Sequence, residues 1–558
     1  MAAPSWRRRL YEAATRDGGR SLLLLAIVAL LCAYKVIFTL HVRSAHADGG
    51  YYTDIAAHVR DGQGLVSNIC LMHQGCPSLP HPTPIYPLWP LLYGYVGRWF
   101  PLFETGKWLP AGLYVVALLF GYLWARSLFP RPLFPKTFPA FDAGHLFVLM
   151  LGTSAGFFRY TSLPYTEGLT FAIVTVALWR STTLLRRPTL AAGVELGTWL
   201  ALAALTRMQL ATMAAAAVGV SGAAAIAIRG SRASHGRMVL GMLLALSSWM
   251  GLRYRHLAGF VPDLSVDEIV FWYRIRFSEA VTAVPFLQET HGVFDYLRDR
   301  ADGLFVAFWS EGAHGYAKQV YTFHFAALIA LPLAVATIGT AVRQRALGQL
   351  LREWLGPDRI AMTFAFLFGL AAFVSLHGMH LNPSAGPQWL FGGRWAIPTL
   401  FLFFLSLVAL VRAGGAWRAA GVFLLCAGVF VGLAHVRRAT NKIEARKPGP
   451  RREAPLVAWL NDATRRRGPF TAVYKSPQPI AYLTPDVRYQ WHHAGTSLRD
   501  LEAMVTELGV DYVILQTGRP FAFITPRAPF NAAFRRVAVL PGYRVYAPNP
   551  SMLERRRR

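Results

Sequence analysis

An aspartate lies directly after the first long apolar segment of the chain, in the run HADGGYYTDIAAHVRDGQGL at residues 46–65. The apolar segment before it, residues 21–40, has the roughly 20 residues that a helix needs to cross a bilayer. The amphipathic helix predicted after it, residues 51–60, is too short to cross. Asp48 is therefore expected at the membrane–water boundary, where a carboxylate can take the proton of a substrate hydroxyl. The alternative is that Asp48 caps the following helix, and Asp54 on that helix is expected to be a solvated surface charge.

A second carboxylate, Glu167 in RYTSLPYTEGLTF, is predicted at the outer end of two spans, on the same side as Asp48. An acid that enters an apolar helix is costly, so such a residue is a functional candidate by default. The alternative is a carboxylate that interacts with the positive end of the helix dipole. Asp48 and Glu167 are the two candidate catalytic residues.

Two arginines are predicted at helix ends on the same outer side, Arg207 in LAALTRMQL and Arg394 in FGGRWAIPTLF. A guanidinium can bind a lipid phosphate through two parallel hydrogen bonds. The alternative for each is a side chain that reaches out to the lipid headgroups. Tyr51 and His81, both between the first two long spans, complete the candidate residues for binding a lipid-phosphate donor.

Cys70 and Cys76 flank LMHQG in the first outer loop and could form a disulfide in an oxidising compartment. Spacing alone does not decide this, and the pair remains open. A zinc site that adds His73 and His81 lacks a standard ligand spacing. No metal site is therefore predicted, although a requirement for Mg²⁺ or Mn²⁺ stays open.

Composition shows which elements must position these residues. The chain has 558 residues, of which 54% are hydrophobic, and a mean hydropathy of +0.33. These values indicate a polytopic membrane protein. The fold class is therefore mainly α, with about eleven transmembrane helices. Their centres are predicted near residues 30, 116, 150, 173, 201, 220, 244, 329, 367, 404 and 429.

The loops divide the membrane domain, residues 1–436, into unequal parts. The first outer loop, residues 43–104, contains the amphipathic helix and the aromatic run LWPLLYGYVGRWF at residues 88–100. Both are expected to lie in the membrane interface. A second long outer loop is predicted at residues 256–318 and is too polar to span. The two interfacial helices are expected to form a platform over the membrane.

The remaining segment, residues 437–558, has the pattern of a small α/β domain. LRDLEAMVTELG is predicted to be an amphipathic helix that ends at Gly509, and VDYVILQ a buried strand. FTAVY and RRVAVLPGYRVYAP also have the pattern of strands.

Positive charges in short loops set the orientation of a membrane protein. Basic residues near the N-terminus and in alternate loops predict a cytoplasmic N-terminus, and an odd number of spans then places the C-terminal domain outside. A basic cluster directly after the last predicted span, residues 437–447, favours the opposite side for that domain. The net charge of +28 reflects these loops and the tail, and no aromatic-interleaved basic groove for nucleic acid is present in the sequence.

These features together suit transfer of a sugar from a lipid phosphate. The phosphate is already a good leaving group, so the protein must supply a base for the acceptor hydroxyl and cations for the developing phosphate charge. A glycosidase, by contrast, needs a second carboxyl as an acid, because an alkoxide leaves poorly.

Five motifs carry a resemblance to a known family over roughly residues 21–412. They are ADGGYYTDIAAHVRDGQGL, PIYPLWPLLYG, LPYTEGLTFAIVTVAL, GTWLALAALTRMQL and FGGRWAIPTLFLFFL. In this order they resemble bacterial GT-C glycosyltransferases, the relatives of protein O-mannosyltransferases and lipid A aminoarabinose transferases. The resemblance implies a polyprenyl-phosphate-sugar donor, with Asp48 as the base, Glu167 as a second acid and Arg394 as a phosphate-side cation. This chain has Asp48-Gly49 where family members often have Asp-Glu, which puts metal binding by a paired acid in doubt.

The sequence therefore predicts an inverting hexosyl- or pentosyltransferase of the bacterial inner membrane. It would transfer a sugar from a polyprenyl-phosphate donor to an extracytoplasmic hydroxyl of a glycan, lipid or protein. The alternative is a lipid-linked-sugar transporter or a catalytically silent membrane assembly protein. A transporter should have broken helices or paired charges near the bilayer midplane, whereas the charges singled out here lie at helix ends.

Overall fold

The computed structural model describes residues 6–42, 48–70, 79–82, 87–135, 137–207, 210–260, 347–379, 400–444, 453–475, 479–491, 498–517 and 528–557, with residues 340 and 477. The chain forms two compact units. The first unit comprises Met1–His41, Pro110–Ser162 and Thr166–Lys442, and the second comprises Val42–Leu109, Leu163–Tyr165 and Ile443–Arg558.

Helices dominate the described residues. In chain order they are α1 (Trp6–His41), α2 (Asp48–Arg60), α3 (Leu88–Val96), α4 (Leu102–Leu128), α5 (Ala143–Gly152), α6 (Ala155–Tyr160), α7 (Glu167–Leu184), α8 (Leu190–Thr206), α9 (Ala211–Ala227), α10 (Arg232–Phe260), α11 (Leu347–Leu355), α12 (Ile360–Met379), α13 (Leu400–Ala413), α14 (Gly415–Glu444), α15 (Ala454–Arg467), α16 (Leu498–Leu508), α17 (Ala528–Ala533) and α18 (Pro550–Arg557).

Three of the described helices contain a segment long and apolar enough to cross a membrane: Gly18–His41, Leu102–Leu128 and Gly415–Ala434. The shorter apolar helices of the first unit are Ala143–Gly152, Leu190–Thr206, Met213–Ala227, Ile360–Leu370 and Leu400–Ala413. The chain is thus a mainly helical membrane protein. The number of eleven spans stays a prediction, and both the span predicted near residue 329 and the second long outer loop beyond residue 260 lie outside the described residues.

Close backbone packing fixes α8 in the first unit. Gly193 and Gly197 of α8 face α10, where an added Cβ would lie 2.1 Å from the Met238 carbonyl oxygen and 2.7 Å from that of Met242. Small residues spaced four apart allow this approach between membrane helices. The position of α8 in turn fixes the residue that follows it, Arg207.

Polar contacts hold the apolar part of α1, Gly18–His41, at both ends. Near the start of this part, His145 Nε2 lies 3.0 Å from the Arg20 carbonyl oxygen, and Asp142 caps α5 by accepting from the Gly144 amide at 2.9 Å. Near its end, the Thr39 hydroxyl donates to Ser162 at 3.0 Å. These contacts set where α5 and the residues after α6 lie along α1.

The second unit contains a six-stranded sheet. The strands are β1 (Val66–Ser67), β2 (Ile69–Cys70), β3 (His81–Pro82), β4 (Phe470–Tyr474), β5 (Val487–Trp491), β6 (Tyr512–Gln516), β7 (Phe534–Leu540) and β8 (Tyr543–Pro548). The sheet order is β2-β5-β4-β6-β8-β7, and β1 pairs with β3 separately. The β2-β5-β4-β6 part is parallel, and β8 runs antiparallel to β6 and β7. The tail elements predicted from periodicity are therefore confirmed, with positive φ at Gly509 after α16 and at Gly542 between β7 and β8.

The first outer loop is built into this sheet domain. Strand β2 extends the sheet through the pairs Ile69–Tyr489 and Cys70–Gln490. On one face of the sheet, Ile55 and Val59 of α2 share an apolar core with the strands and α15. On the other face, α16, α17 and α18 cover a second core. Helix α2 is thus a structural layer of the C-terminal sheet.

The aromatic run of the first outer loop forms α3 and the turn after it. Trp89 and Tyr93 are fully buried, whereas Tyr95, Trp99 and Phe100 are more than half exposed. Exposed Trp and Tyr beside a membrane span are typical of residues at the membrane–water interface. The structure is consistent with the interfacial placement expected for this run.

Candidate functional site

The structure brings two of the candidate residues together. Glu167 is the first residue of α7, and Arg207 directly follows the last residue of α8. An Nη2 of Arg207 lies 3.1 Å from Oε1 of Glu167. A carboxylate at a helix N-terminus and a guanidinium at a helix C-terminus each interact favourably with the helix dipole. The local sequence therefore places opposite charges at the adjoining ends of two neighbouring helices.

This ion pair is buried. The Glu167 side chain is 0% exposed and that of Arg207 is 5% exposed. The alternative in which Arg207 reaches out to lipid headgroups is therefore wrong. Burying two charges is costly unless the pair has good geometry and further hydrogen bonds. A buried ionic pair at a helix end is thus weak evidence for stability and stronger evidence for a site.

Close packing also fixes the first turn of α7. A Cβ at Gly168 would lie 2.9 Å from both the Cα and the carbonyl oxygen of Pro110 in α4. Because a backbone cannot yield as a side chain can, only glycine allows this approach. The carboxylate of Glu167 is therefore carried on a helix end with little freedom to shift.

A second ion pair links the same two helices farther along their length. Arg180 of α7 donates to Glu195 of α8 at 2.5 Å and 3.0 Å, in a two-point contact. These side chains are about one-third exposed, at 32% and 38%. Both ion pairs join α7 to α8, but only the pair of Glu167 and Arg207 is buried. The pair of Arg180 and Glu195 can therefore serve as a control when the buried pair is mutated.

A buried lysine in the C-terminal part of α1 was not singled out from the sequence. Lys35 is 2% exposed and donates to the Phe158 carbonyl oxygen and to the Thr161 hydroxyl, both at 2.5 Å. Its signal was a single charge within the apolar run SLLLLAIVALLCAYKVIFTL. A charge inside a spanning segment is itself a functional indicator.

Asp48 begins α2, and its side chain lies outside the described residues. The next residue, Gly49, is closely packed. A Cβ at Gly49 would lie 3.1 Å from the Pro164 ring and 3.2 Å from the Tyr165 ring. This contact within the second unit leaves little room for a carboxylate at position 49.

Asp54 is buried, so its expected role as a solvated surface charge is wrong. It is 2% exposed, and its Oδ2 accepts from the Ser67 hydroxyl at 2.6 Å and from the Asn68 amide at 2.9 Å. Asn68 in turn donates to the Pro485 carbonyl oxygen at 2.9 Å and accepts from the Tyr489 amide at 2.7 Å. Asp54 therefore anchors α2 to the C-terminal sheet.

Burial raises the pKa of Asp54, opposed by attraction to His58 and by the two hydrogen bonds. Replacement by Asn keeps an oxygen acceptor, so Asp54→Asn is expected to retain wild-type thermal stability near neutral pH. Asp54→Ala leaves the buried Asn68 amide without its acceptor and is expected to cost about 1–3 kcal/mol. Thermal unfolding of the detergent-solubilised protein measures both changes.

The raised pKa also predicts the pH dependence of this difference. The stability contributed by protonating Asp54 is complete below the ordinary carboxyl pKa and is lost as the pH rises through the raised value. Wild-type stability should therefore fall relative to Asp54→Asn between acidic and neutral pH. A constant difference between the two proteins across this range would contradict the assignment.

The structure describes only part of the remaining candidate residues. Tyr51 lies in the apolar core of the second unit, with 3% exposure. His81 begins β3 opposite Ser67, and its side chain is outside the described residues, as is the whole of Arg394. Cys70 is disulfide-bonded, and its predicted partner Cys76 is not among the described residues.

No cluster of three or more His, Cys, Asp or Glu side chains suited to a metal ion occurs among the described residues. The described residues therefore do not decide whether the protein requires Mg²⁺ or Mn²⁺.

Comparison with protein-family models gives no match, and no curated protein sequence matches the chain. Among solved structures, the Archaeoglobus fulgidus oligosaccharyltransferase tethered with an acceptor peptide is similar, with a TM-score of 0.50 and 11% identity. The match covers 88% of this chain and 69% of that chain.

Two other solved structures match at lower TM-scores. ArnT from Cupriavidus metallidurans bound to undecaprenyl phosphate has a TM-score of 0.47 and 14% identity, over 95% of this chain and 98% of that one. The arabinosyltransferase EmbB from Mycobacterium smegmatis has a TM-score of 0.36 and 14% identity, over 76% and 41%. The likeness to the oligosaccharyltransferase shows that the chain has a fold similar to that of this protein, and this agrees with the resemblance carried by its sequence motifs.

Proposed function

We propose that the protein is an inverting glycosyltransferase that uses a polyprenyl-phosphate sugar. An acceptor hydroxyl attacks the anomeric carbon of the donor from the face opposite the phosphate. The new carbon–oxygen bond forms as the bond to the phosphate oxygen breaks, and polyprenyl phosphate leaves with the electron pair. Asp48 takes the proton of the attacking hydroxyl.

The observation that carries this proposal is the buried ion pair of Glu167 and Arg207. It lies at helix ends in a chain with the fold of an oligosaccharyltransferase. Glu167 is proposed as the second carboxylate of the site. Arg207 is proposed to hold Glu167 in place, and Arg394 is proposed as the cation on the donor phosphate, where a planar guanidinium suits two phosphate oxygens.

The reaction is proposed to occur on the outer face of a bacterial inner membrane. Strand β2 of the first outer loop and β5 of the C-terminal segment pair in one sheet, so both segments lie on the same side of the membrane. The basic residues Arg7, Arg8, Arg9 and Arg16 come before the apolar part of α1, Gly18–His41. They are therefore proposed to lie on the other side, which under the positive-inside rule would be the cytoplasm. This supports an extracytoplasmic C-terminal segment despite its basic cluster.

One observation bears on the alternative of a lipid-linked-sugar transporter. The segment made of α5 and α6 is interrupted at Thr153 and Ser154, and transporters often have broken helices at their binding sites. Here the amides of both residues stay bonded, to Leu149 at 3.0 Å and to Leu151 at 3.1 Å. These two bonded amides argue against an unwound substrate-binding segment at this point and so support the enzyme over the transporter.

An assay of products separates the two functions. Purified protein, reconstituted in liposomes, is given radiolabelled polyprenyl-phosphate sugars together with an envelope extract as the source of acceptor. A transferase is expected to release free polyprenyl phosphate and to transfer the label to an acceptor. Movement of intact labelled donor across the bilayer, without release of polyprenyl phosphate, would instead show a transporter.

A further inference from the structure

Lys35 is an ionisable side chain enclosed within the membrane part of the first unit. Besides its two hydrogen bonds, its ammonium lies 4.8 Å from the ring centroids of both Tyr114 and Phe158. Among the residues that the structure describes, no carboxylate lies within ion-pair distance of it. A methionine would fill this aromatic pocket without the cost of burying a charge, so packing alone does not explain a lysine here.

The acceptors of Lys35 lie at one helix end. Phe158 is in the last turn of α6, and Thr161 is the residue that caps that helix. The last carbonyl groups of a helix lack partners within it and carry the negative end of its dipole. A cation that donates to them fixes the helix end and satisfies a group that water cannot reach.

A second contact from α1 extends this attachment. Thr39, one turn beyond Lys35, donates to Ser162 at 3.0 Å. Residues 158–162 are therefore held to α1 by three hydrogen bonds. This segment leads along the chain into Glu167, whose own first turn is pressed on Pro110.

We propose that Lys35 is a positioning residue for Glu167. It holds the end of α6 in place. The segment of residues 161–166 starts from that end and leads to Glu167, whose carboxylate contacts Arg207. The proposal rests on the proposed function, since it assigns Lys35 a role in transfer only through Glu167. A displacement of about 1 Å at a reacting group can reduce a rate by about 10²-fold, so loss of this attachment should be seen in kcat.

The test compares two substitutions in otherwise full-length protein. Lys35→Met removes the charge and both hydrogen bonds, and it is expected to lower kcat by about 10–10²-fold, with a smaller change in KM for the donor. Lys35→Gln keeps one donor for the Phe158 carbonyl oxygen and is expected to recover part of that loss. Asp142→Ala serves as the control, because it removes the buried cap of α5, away from the Lys35 contacts, and should lower thermal stability without lowering kcat.

A double-mutant cycle with Glu167→Gln separates positioning from a merely structural role. In the Glu167→Gln background, Lys35→Met is expected to change the residual rate less than about twofold, because no carboxylate remains to be positioned. An equal loss in both backgrounds, or a fully active Lys35→Met, would overturn the proposal. If neither lysine variant folds, Thr161→Val tests the same attachment, and an unchanged kcat there would overturn it as well. Wild-type activity of Glu167→Gln would instead refute the proposed role of Glu167.

Discussion

Asp48→Asn is expected to express at the wild-type level and to lose sugar transfer by about 10²–10⁴-fold, the usual loss when a general base is removed. Asn has the size of Asp and caps a helix about as well, so α2 should still begin at residue 48. It cannot take a proton from an acceptor hydroxyl. Transfer is measured as polyprenyl phosphate released from the labelled donor by equal amounts of protein.

The matched control is Asp54→Asn, the same substitution on the same helix. Asp54 is enclosed by Ser67 and Asn68 and serves to anchor α2 to the sheet, so this variant should retain transfer. Loss of transfer in both variants would point to a displaced helix and not to a missing base. Near-normal transfer by Asp48→Asn would reduce Asp48 to a capping residue and remove the main support for the mechanism.

Local patterns in the sequence were sufficient to predict many of the helices and strands. The apolar length of residues 21–40 predicts α1, and the period of residues 498–508, followed by Gly509, predicts α16 and its end. The positions of Glu167 and Arg207 at adjoining ends of neighbouring helices, on one side of the membrane, were also predicted, since alternating spans bring every second loop to one side. Each of these features is encoded within about 20 residues of sequence.

Features that depend on distant segments could not be predicted in this way. Strand β2 has two residues and no sequence pattern of its own, and it exists only because β5 pairs with it. Asp54 has the sequence context of a surface charge, but α2 is covered by the C-terminal sheet, more than 400 residues away along the chain. Lys35 differs from β2 and Asp54, because the indication of its role is local. It is a single charge within the apolar run of residues 21–40, where the surrounding apolar residues dominate the pattern.

The single variant Arg207→Met is expected to be strongly destabilised, by about 3–5 kcal/mol, because it removes the cation that lies 3.1 Å from the buried Glu167 carboxylate. The double variant Glu167→Gln with Arg207→Met removes both charges while keeping similar volumes, and it should recover most of the lost stability. The single variant Glu195→Gln breaks the partly exposed pair of Arg180 and Glu195 between the same two helices and should cost only about 0–1 kcal/mol. Thermal unfolding and yield of folded protein in detergent measure these differences.

Transfer by the double variant then decides what the buried pair is for. If the pair only joins α7 to α8, restoring stability should restore transfer, and the double variant should be as active as Glu195→Gln. If Glu167 is the second carboxylate of the site, the double variant should be folded yet inactive by at least about 10²-fold. A buried pair can be replaced by neutral groups with little or no loss of stability, so a folded but inactive double variant would show that these charges serve the reaction and not the fold.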